Sequence, residues 1–129
     1  LRYEDKREIL SSAGMLPYYA IYYSYLKSDL VFTIVNKQKE PVGIFGVTVN
    51  GAIWLLATDK LKDIQYSFLK ENKKVIDFLN SKYKILWNYV DSRNSLHIKW
   101  LKWCGFKFIN KKKYGVLKEP FYEVVRICA

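Results

Sequence analysis

The stretch Tyr89-Val-Asp-Ser-Arg-Asn94-Ser-Leu-His-Ile-Lys-Trp-Leu-Lys-Trp-Cys-Gly105-Phe106 restricts the possible folds of this chain more than any other. The residues leading into it, Lys84 to Asp91, are apolar almost throughout. That pattern predicts a strand buried on both faces and central in a sheet. Asn94 is a residue type that caps helix starts, because its side-chain oxygen accepts an orphan backbone N–H. A helix is therefore expected from Asn94 to Cys104. Gly105 supplies the left-handed stop, and Phe106 to Ile109 resumes as a strand. A strand, helix and strand in this succession imply a layered α/β fold.

The remaining elements fit such a fold. Glu4 to Ala13 predicts a short helix that turns Ile9, Leu10 and Ala13 inward and stops at Gly14. Tyr18 to Ser28 predicts a second helix, although it is rich in β-forming residues. Val31 to Val35 and Val42 to Val49 read as strands separated by the polar turn Asn36 to Glu40, with Pro41 opening the second strand. Asn50-Gly51 between two apolar runs predicts a type I′ hairpin into a third strand, Ala52 to Ala57. Thr58 or Asp59 caps a helix whose apolar residues Leu61, Ile64, Phe68, Val75, Ile76 and Leu79 recur mostly at three- and four-residue steps. That helix ends near Lys82. Phe121 to Ile127 closes the sheet, with Tyr114-Gly115 in the preceding loop. There is no internal repeat and no Pro/Gly/Ser linker, so one domain over residues 1–129 is expected.

The bulk composition narrows the class. Half of the 129 residues are apolar and 17% are aromatic, which excludes disordered and fibrous chains. No apolar run approaches the ~18–20 residues of a membrane-spanning helix, and the charged start has no apolar core of a signal peptide. Cys104 and Cys128 fall at no metal or redox spacing and read as reduced thiols of a reducing cytosol. Net charge is +10, from 22 Lys+Arg against 12 Asp+Glu. Such a balance favours anionic partners, nucleic acid or a phosphorylated cofactor among them. Joint enrichment in Lys, Asn, Ile and Tyr explains it equally as compositional drift.

The element order, with Asn94, His97, Leu101, Gly105 and Phe106 at the spacing of a late strand–helix motif, resembles the GNAT superfamily, the Gcn5-related N-acetyltransferases. The resemblance implies a mixed, mainly antiparallel sheet with helices on both faces, from which the family's first strand is missing. A narrower resemblance rests on Arg2, Asp5, Glu8 and Ile9, on Ile53-Trp-Leu-Leu-Ala-Thr58, and on Asn94 to Phe106. These are similar to small GNAT-like proteins of tailed bacteriophages, some of the internal virion type. That points to a host-cell cytoplasmic or virion location, and to other virion proteins or nucleic acid as partners.

For an active member, the resemblance implies acetyl-CoA as cofactor and an amine acceptor of unknown identity. The thioester would lie in a cleft opened between the Ala52–Ala57 and Lys84–Asp91 strands. Backbone groups of Leu55, Leu56 and Ala57 would pair with the pantetheine arm, Lys60 and Lys62 would meet the pyrophosphate, and Asn94 would steady the cofactor.

Two positions depart from the family. The glycine-rich phosphate turn is replaced by Ala57-Thr-Asp-Lys-Leu-Lys-Asp63, which has no glycine. The tyrosine that protonates the leaving thiolate is Leu101, which has no proton to give. Both losses predict weak or absent catalysis, and hence the alternative of a non-catalytic phage protein whose basic surface contacts nucleic acid. His97, the only histidine, is the candidate stand-in donor; as a plain reading it is a packed core histidine. Asp91 is the one acid at the cleft mouth, and turn or cap duty explains it as plainly. No set of residues has metal-ligand spacing, so no metal is expected.

Overall fold

A computed structural model of the chain describes residues 2–128. The element order is α1 (Tyr3–Ala13), α2 (Pro17–Lys27), β1 (Ser28–Val35), β2 (Pro41–Thr48), β3 (Ile53–Ala57), a 3₁₀ turn (Asp59–Ile64), α3 (Gln65–Lys82), β4 (Ile85–Asp91), α4 (Ser95–Trp103), β5 (Lys107–Tyr114) and β6 (Glu119–Ile127). The elements run in the predicted succession and make a mixed α/β fold. Among the described residues no strand precedes α1.

The strands form two three-stranded antiparallel sheets, ordered β1-β2-β3 and β4-β6-β5. The parallel neighbours β3 and β4 touch only at their starts. There Ala52 bridges Trp87, and the Trp87 N–H donates to the Gly51 carbonyl at 3.1 Å. Beyond that joint no backbone hydrogen bond crosses between the two strands among the described residues. The strands part into the V that the GNAT resemblance implies. One core lies beneath both sheets, where Val42, Ile53, Leu61, Ile76, Leu79, Leu86, Val90, Trp100 and Leu101 are all fully buried. Asn80 ties this layer together by donating from Nδ2 to the carbonyls of Tyr83 (3.0 Å), Lys84 (3.3 Å) and Arg126 (3.2 Å).

Several expectations need correction. The Asn50-Gly51 hairpin is not type I′, because only Gly51 has positive φ (89°). The Thr48 carbonyl accepts from the Gly51 N–H at 3.0 Å, and Thr48 Oγ1 accepts from the Ala52 N–H at 3.1 Å. These bonds make a three-residue loop with glycine in the left-handed position. The phosphate-turn segment, lacking glycine, winds into the 3₁₀ turn, with Thr58 Oγ1 capping the Lys60 N–H. β5 extends to Tyr114, well past Ile109, because pairing with β6 continues through Tyr114–Glu119. In α1, Leu10 and Ala13 face solvent, and the inward residues besides Ile9 are Arg2, Asp5, Glu8 and Ser11.

Gly51 is where the two sheets join. A Cβ there would collide with the Ile85 carbonyl and would also carry left-handed strain. At Gly14 (φ 67°) a Cβ meets only Val116 Cγ2, at an ordinary 3.4 Å. Gly14→Ala is expected to cost about 1–2 kcal/mol of strain alone, and Gly51→Ala about 2–4 kcal/mol once the collision is added. Urea unfolding of the two variants checks this, and equal losses would contradict the assignment of Gly51 as the joint.

Candidate active site: a slot filled from within

The spacing Arg2, Asp5, Glu8 places three charged side chains on one face of α1, at successive helical turns. That face lies in the mouth of the V. All three residues are buried. Asp5 Oδ2 accepts the Ala57 N–H at 2.9 Å, and the Arg2 N–H donates to the Ala57 carbonyl at 2.8 Å. On the opposite strand, Glu8 Oε2 accepts the Asp91 N–H at 2.9 Å. The β-strand alternation sends the backbone groups of Ile53, Leu55 and Ala57 toward the gap, since the Thr58 N–H, one residue on, bonds across to Val42 on β2.

Deeper in the V, the Asn88 amide donates to the Ile53 carbonyl, and Asn88 Oδ1 accepts the Tyr89 N–H at 2.7 Å. The amides of Trp87, Tyr89 and Asp91, which point into the gap, are thus taken by Gly51, Asn88 and Glu8. What remains is a cavity of about 140 Å³, lined in part by Glu8, Leu55, Asn88, Tyr89 and His97. Pockets for small ligands usually measure ~300–1,000 Å³.

The α1 side chains are themselves held in a buried polar cluster. Arg2 Nη2 donates to Asp5 Oδ1 (2.8 Å) and Asn94 Oδ1 (2.7 Å), and Asn94 Nδ2 donates to Asp5 Oδ1 (3.0 Å). Asn94 also caps α4 as predicted, accepting the His97 N–H at 3.4 Å. His97 Nδ1 lies 3.1 Å from Glu8 Oε1, and the ring stacks on Trp100 at 5.4 Å. His97 Nε2 is buried with no hydrogen-bond partner among the described residues.

Burial alone would pull the His97 pKa down. The Glu8 carboxylate more than offsets it, and the net direction is up. A protonated His97 with Arg2 balances Asp5 and Glu8, leaving the cluster neutral in sum, which is the condition under which buried charges are tolerated.

The other sequence candidates fall outside this cluster or serve locally. The buried Asp91 carboxylate faces Arg93, accepting from its backbone N–H (2.9 Å), Nε (2.9 Å) and Nη2 (2.7 Å). Its burial raises the carboxyl pKa, but the Arg93 bonds and charge prevail and hold it below the ordinary value. This is turn duty, reinforced by Arg93 Nη2 donating to Ser11 Oγ of α1 at 3.1 Å. Lys60 reaches Glu40 at 3.2 Å on the surface, and Lys62 is exposed. By the same alternation Leu56 directs its backbone to β2, not to the gap. Leu101 is wholly buried in the core. Among the described residues no group of His, Cys, Asp and Glu could hold a metal, and burial pushes the Cys104 thiol up to about 12.

Sequence reading missed Arg2, Asp5 and Glu8 as site residues, although their spacing was visible and a charged stripe beside Ile9 is unusual on a face expected to pack. The residues present do not fit coenzyme A. The gap-facing polar pair of Ala57 is taken, the phosphate turn has no glycine, and position 101 holds no proton.

Because His97 is the only histidine, its titration can be read by NMR without ambiguity. Its midpoint is expected above the ordinary imidazole value of ~6.5, and below the wild-type midpoint in Glu8→Gln, which removes the charge and leaves burial in control. With a raised folded-state pKa, this contact stabilises the fold fully below ~6.5, and the contribution is lost as pH rises through the raised value. A wild-type midpoint at or below the ordinary value, or one unmoved by Glu8→Gln, would contradict the pairing.

Comparison with known proteins locates this geometry. The spermidine N-acetyltransferase of Vibrio cholerae, solved in complex with CoA and spermine, superposes with a TM-score of 0.62 at 10% identity, over 85% of this chain and 73% of that one. The ribosomal-protein-S5-alanine acetyltransferase of Vibrio fischeri superposes with a TM-score of 0.60 at 18% identity, over 87% and 68%. At such identities the likeness establishes the fold, which is that of the GNAT acetyltransferases. No curated protein sequence matches the chain. The sequence pattern of the family described as "Bacteriophage T7, probable scaffold protein Gp13" matches residues 30–113. That description names a scaffold, and the internal virion type gains no support from it. The chain thus has the acetyltransferase fold and belongs to the phage family described as probable scaffold protein Gp13.

Proposed function

We propose that this chain is a non-catalytic, GNAT-fold protein of a tailed phage that works by binding other proteins during particle assembly, with residues 1–129 acting as one domain. The observation that carries the reading is the pair of bonds from Asp5 and Arg2 to Ala57. In an acetyltransferase the splayed strand edge must be free to meet a thioester arm. Here the chain's own helix meets it. A ligand in the slot would take the Ala57 and Asp91 N–H groups from Asp5 and Glu8, at a cost of about 1–3 kcal/mol for each buried acceptor left short of a donor.

The family's scaffold description supports the assembly half of the reading. So does α2, which exposes Tyr18, Tyr19, Tyr22, Tyr23, Tyr25 and Leu26 while burying only Ala20. Exposed apolar surface of this extent on one helix commonly marks a protein contact, and tyrosine is a residue type enriched at such contacts. No helix among the described residues is long and apolar enough to cross a membrane.

Calorimetric titration with acetyl-CoA tests the first half. No saturable heat is expected up to millimolar cofactor, and saturable binding at micromolar cofactor would overturn the reading. The second half is tested by Tyr22→Glu/Tyr25→Glu, both exposed. The variant is expected to keep the wild-type melting temperature and to lose association with assembling particles in infected cells. Undiminished association would count against α2 as the contact.

A further inference from the structure

β1 is the outer strand of the sheet β1-β2-β3, and its far edge has no partner strand among the described residues. The Thr58 N–H bonds to the Val42 carbonyl, so Val42, Ile44 and Gly46 direct their backbone groups to β3, and Gly43, Phe45 and Val47 direct theirs to β1. Ile34, Phe32 and Leu30 lie opposite these last three. The N–H and C=O groups of Val31 and Thr33 therefore point out of the sheet, and none of the four is hydrogen-bonded among the described residues.

Free strand edges are commonly blunted against pairing, often by lysine. The outer strand of the other sheet is blunted in this way, since β5 carries Lys107, Lys111, Lys112 and Lys113. β1 carries no charge from Leu30 to Val35. A largely apolar cavity also flanks its edge on each face. One, of about 320 Å³, opens beside Phe32, Ile64, Phe68 and Val75. The other, of about 340 Å³, lies between Val31 and Thr33 and the α2 residues Tyr18, Tyr22 and Tyr25.

We infer that a second copy of this chain pairs with the edge, β1 against β1, in an antiparallel two-fold dimer. Groups spaced along a strand edge are satisfied by another extended segment, and its alternate side chains must be apolar to enter cavities on both faces. Among the described residues β1 is itself the one free edge of that kind, because β5 is lysine-rich and α1 occupies the gap-facing edges of β3 and β4. Val31 of each copy then faces Thr33 of the other. The free N–H and C=O groups of both residues are all used, and a two-fold contact of this type closes on itself. Phe32 meets its own counterpart beside the first cavity, and the two α2 helices approach each other across the second face. Tyr18, Tyr22 and Tyr25 are 75%, 58% and 62% exposed. Across two copies these rings carry about 800 Å² of accessible surface, a large part of the ~1,200–2,000 Å² that a specific interface buries. The dimer names a first partner for the α2 surface, and to that extent rests on the reading of α2 as a protein contact.

Sedimentation equilibrium of the purified whole chain tests the pairing. Twice the chain mass is expected at ~100 µM protein, with a dissociation constant of about 10 µM or tighter. Amide exchange at Val31 and Thr33 should be slow in the dimer and loop-like once dilution gives the monomer. Thr33→Pro removes an N–H that bonds nothing within the chain. Thr33→Lys/Val35→Lys puts charge on two exposed positions of the edge. Each should weaken the dimer at least tenfold and keep the wild-type circular dichroism, whereas Thr33→Val should dimerise as wild type. A monomer at ~100 µM, assembly that grows past the dimer, or a dimer that both edge variants leave intact overturns the pairing. So does slow exchange at Val31 and Thr33 in the monomer, which would show the edge covered from within one chain. Failure of the dimer is separable from failure of the particle contact, because the one is read on purified protein with α2 unaltered and the other in infected cells.

Discussion

The contact on which the rest of this structure depends is the one between α1 and the exposed edge of β3, where Asp5 takes the Ala57 N–H and Arg2 supplies a donor to its carbonyl. A splayed pair of parallel strands leaves polar backbone groups without partners, and in a protein interior each such group costs free energy. The acetyltransferase fold offers a ligand as the solution. This chain offers a helix. Glu8 at Asp91 and Asn88 at Ile53 and Tyr89 extend the same solution along both strands.

Such a solution brings a second requirement, because it draws Arg2, Asp5 and Glu8 out of water together. The cluster meets it by using Asn94 and His97 of α4 as further partners. The residue that would steady a cofactor in an acetyltransferase here steadies the helix lying in the cofactor's place, while still capping α4. Under the proposed non-catalytic function, this exchange of partners explains how the late strand–helix motif persists. Leu101 packs in the core, and the 3₁₀ turn after β3 forms without glycine.

Much of this was legible in the sequence, for identifiable reasons. The strand into Asn94, the stop at Gly105 and the helical apolar steps from Phe68 to Leu79 each depend on local physics, and each appears where expected. The parting of β3 from β4 followed from the family resemblance and not from local pattern. The interior of the V was not legible. A helix reading that seeks apolar residues turned Leu10 and Ala13 inward, whereas the structure turns in Arg2, Asp5 and Glu8. Hydrophobic periodicity has no means of recognising a buried face built of mutually bonded charges, because the partners sit some ninety residues away at Asn94 and His97. The hairpin at Gly51 misled for a smaller reason: Asn-Gly is compatible with two loop lengths, and the Thr48 side chain chose the longer.

The central claim is that the V is closed from inside by α1, and amide hydrogen exchange at Ala57 and Asp91 tests it most directly. Both N–H groups lie beyond the reach of any strand ladder, so only the Asp5 and Glu8 carboxylates can protect them. The account predicts protection at both amides comparable to that of the β2–β3 ladder, falling to loop-like exchange at Ala57 in Asp5→Ala while Gly46, in that ladder, stays protected. Rapid exchange at Ala57 and Asp91 in the unmodified protein would show an open slot and contradict the account.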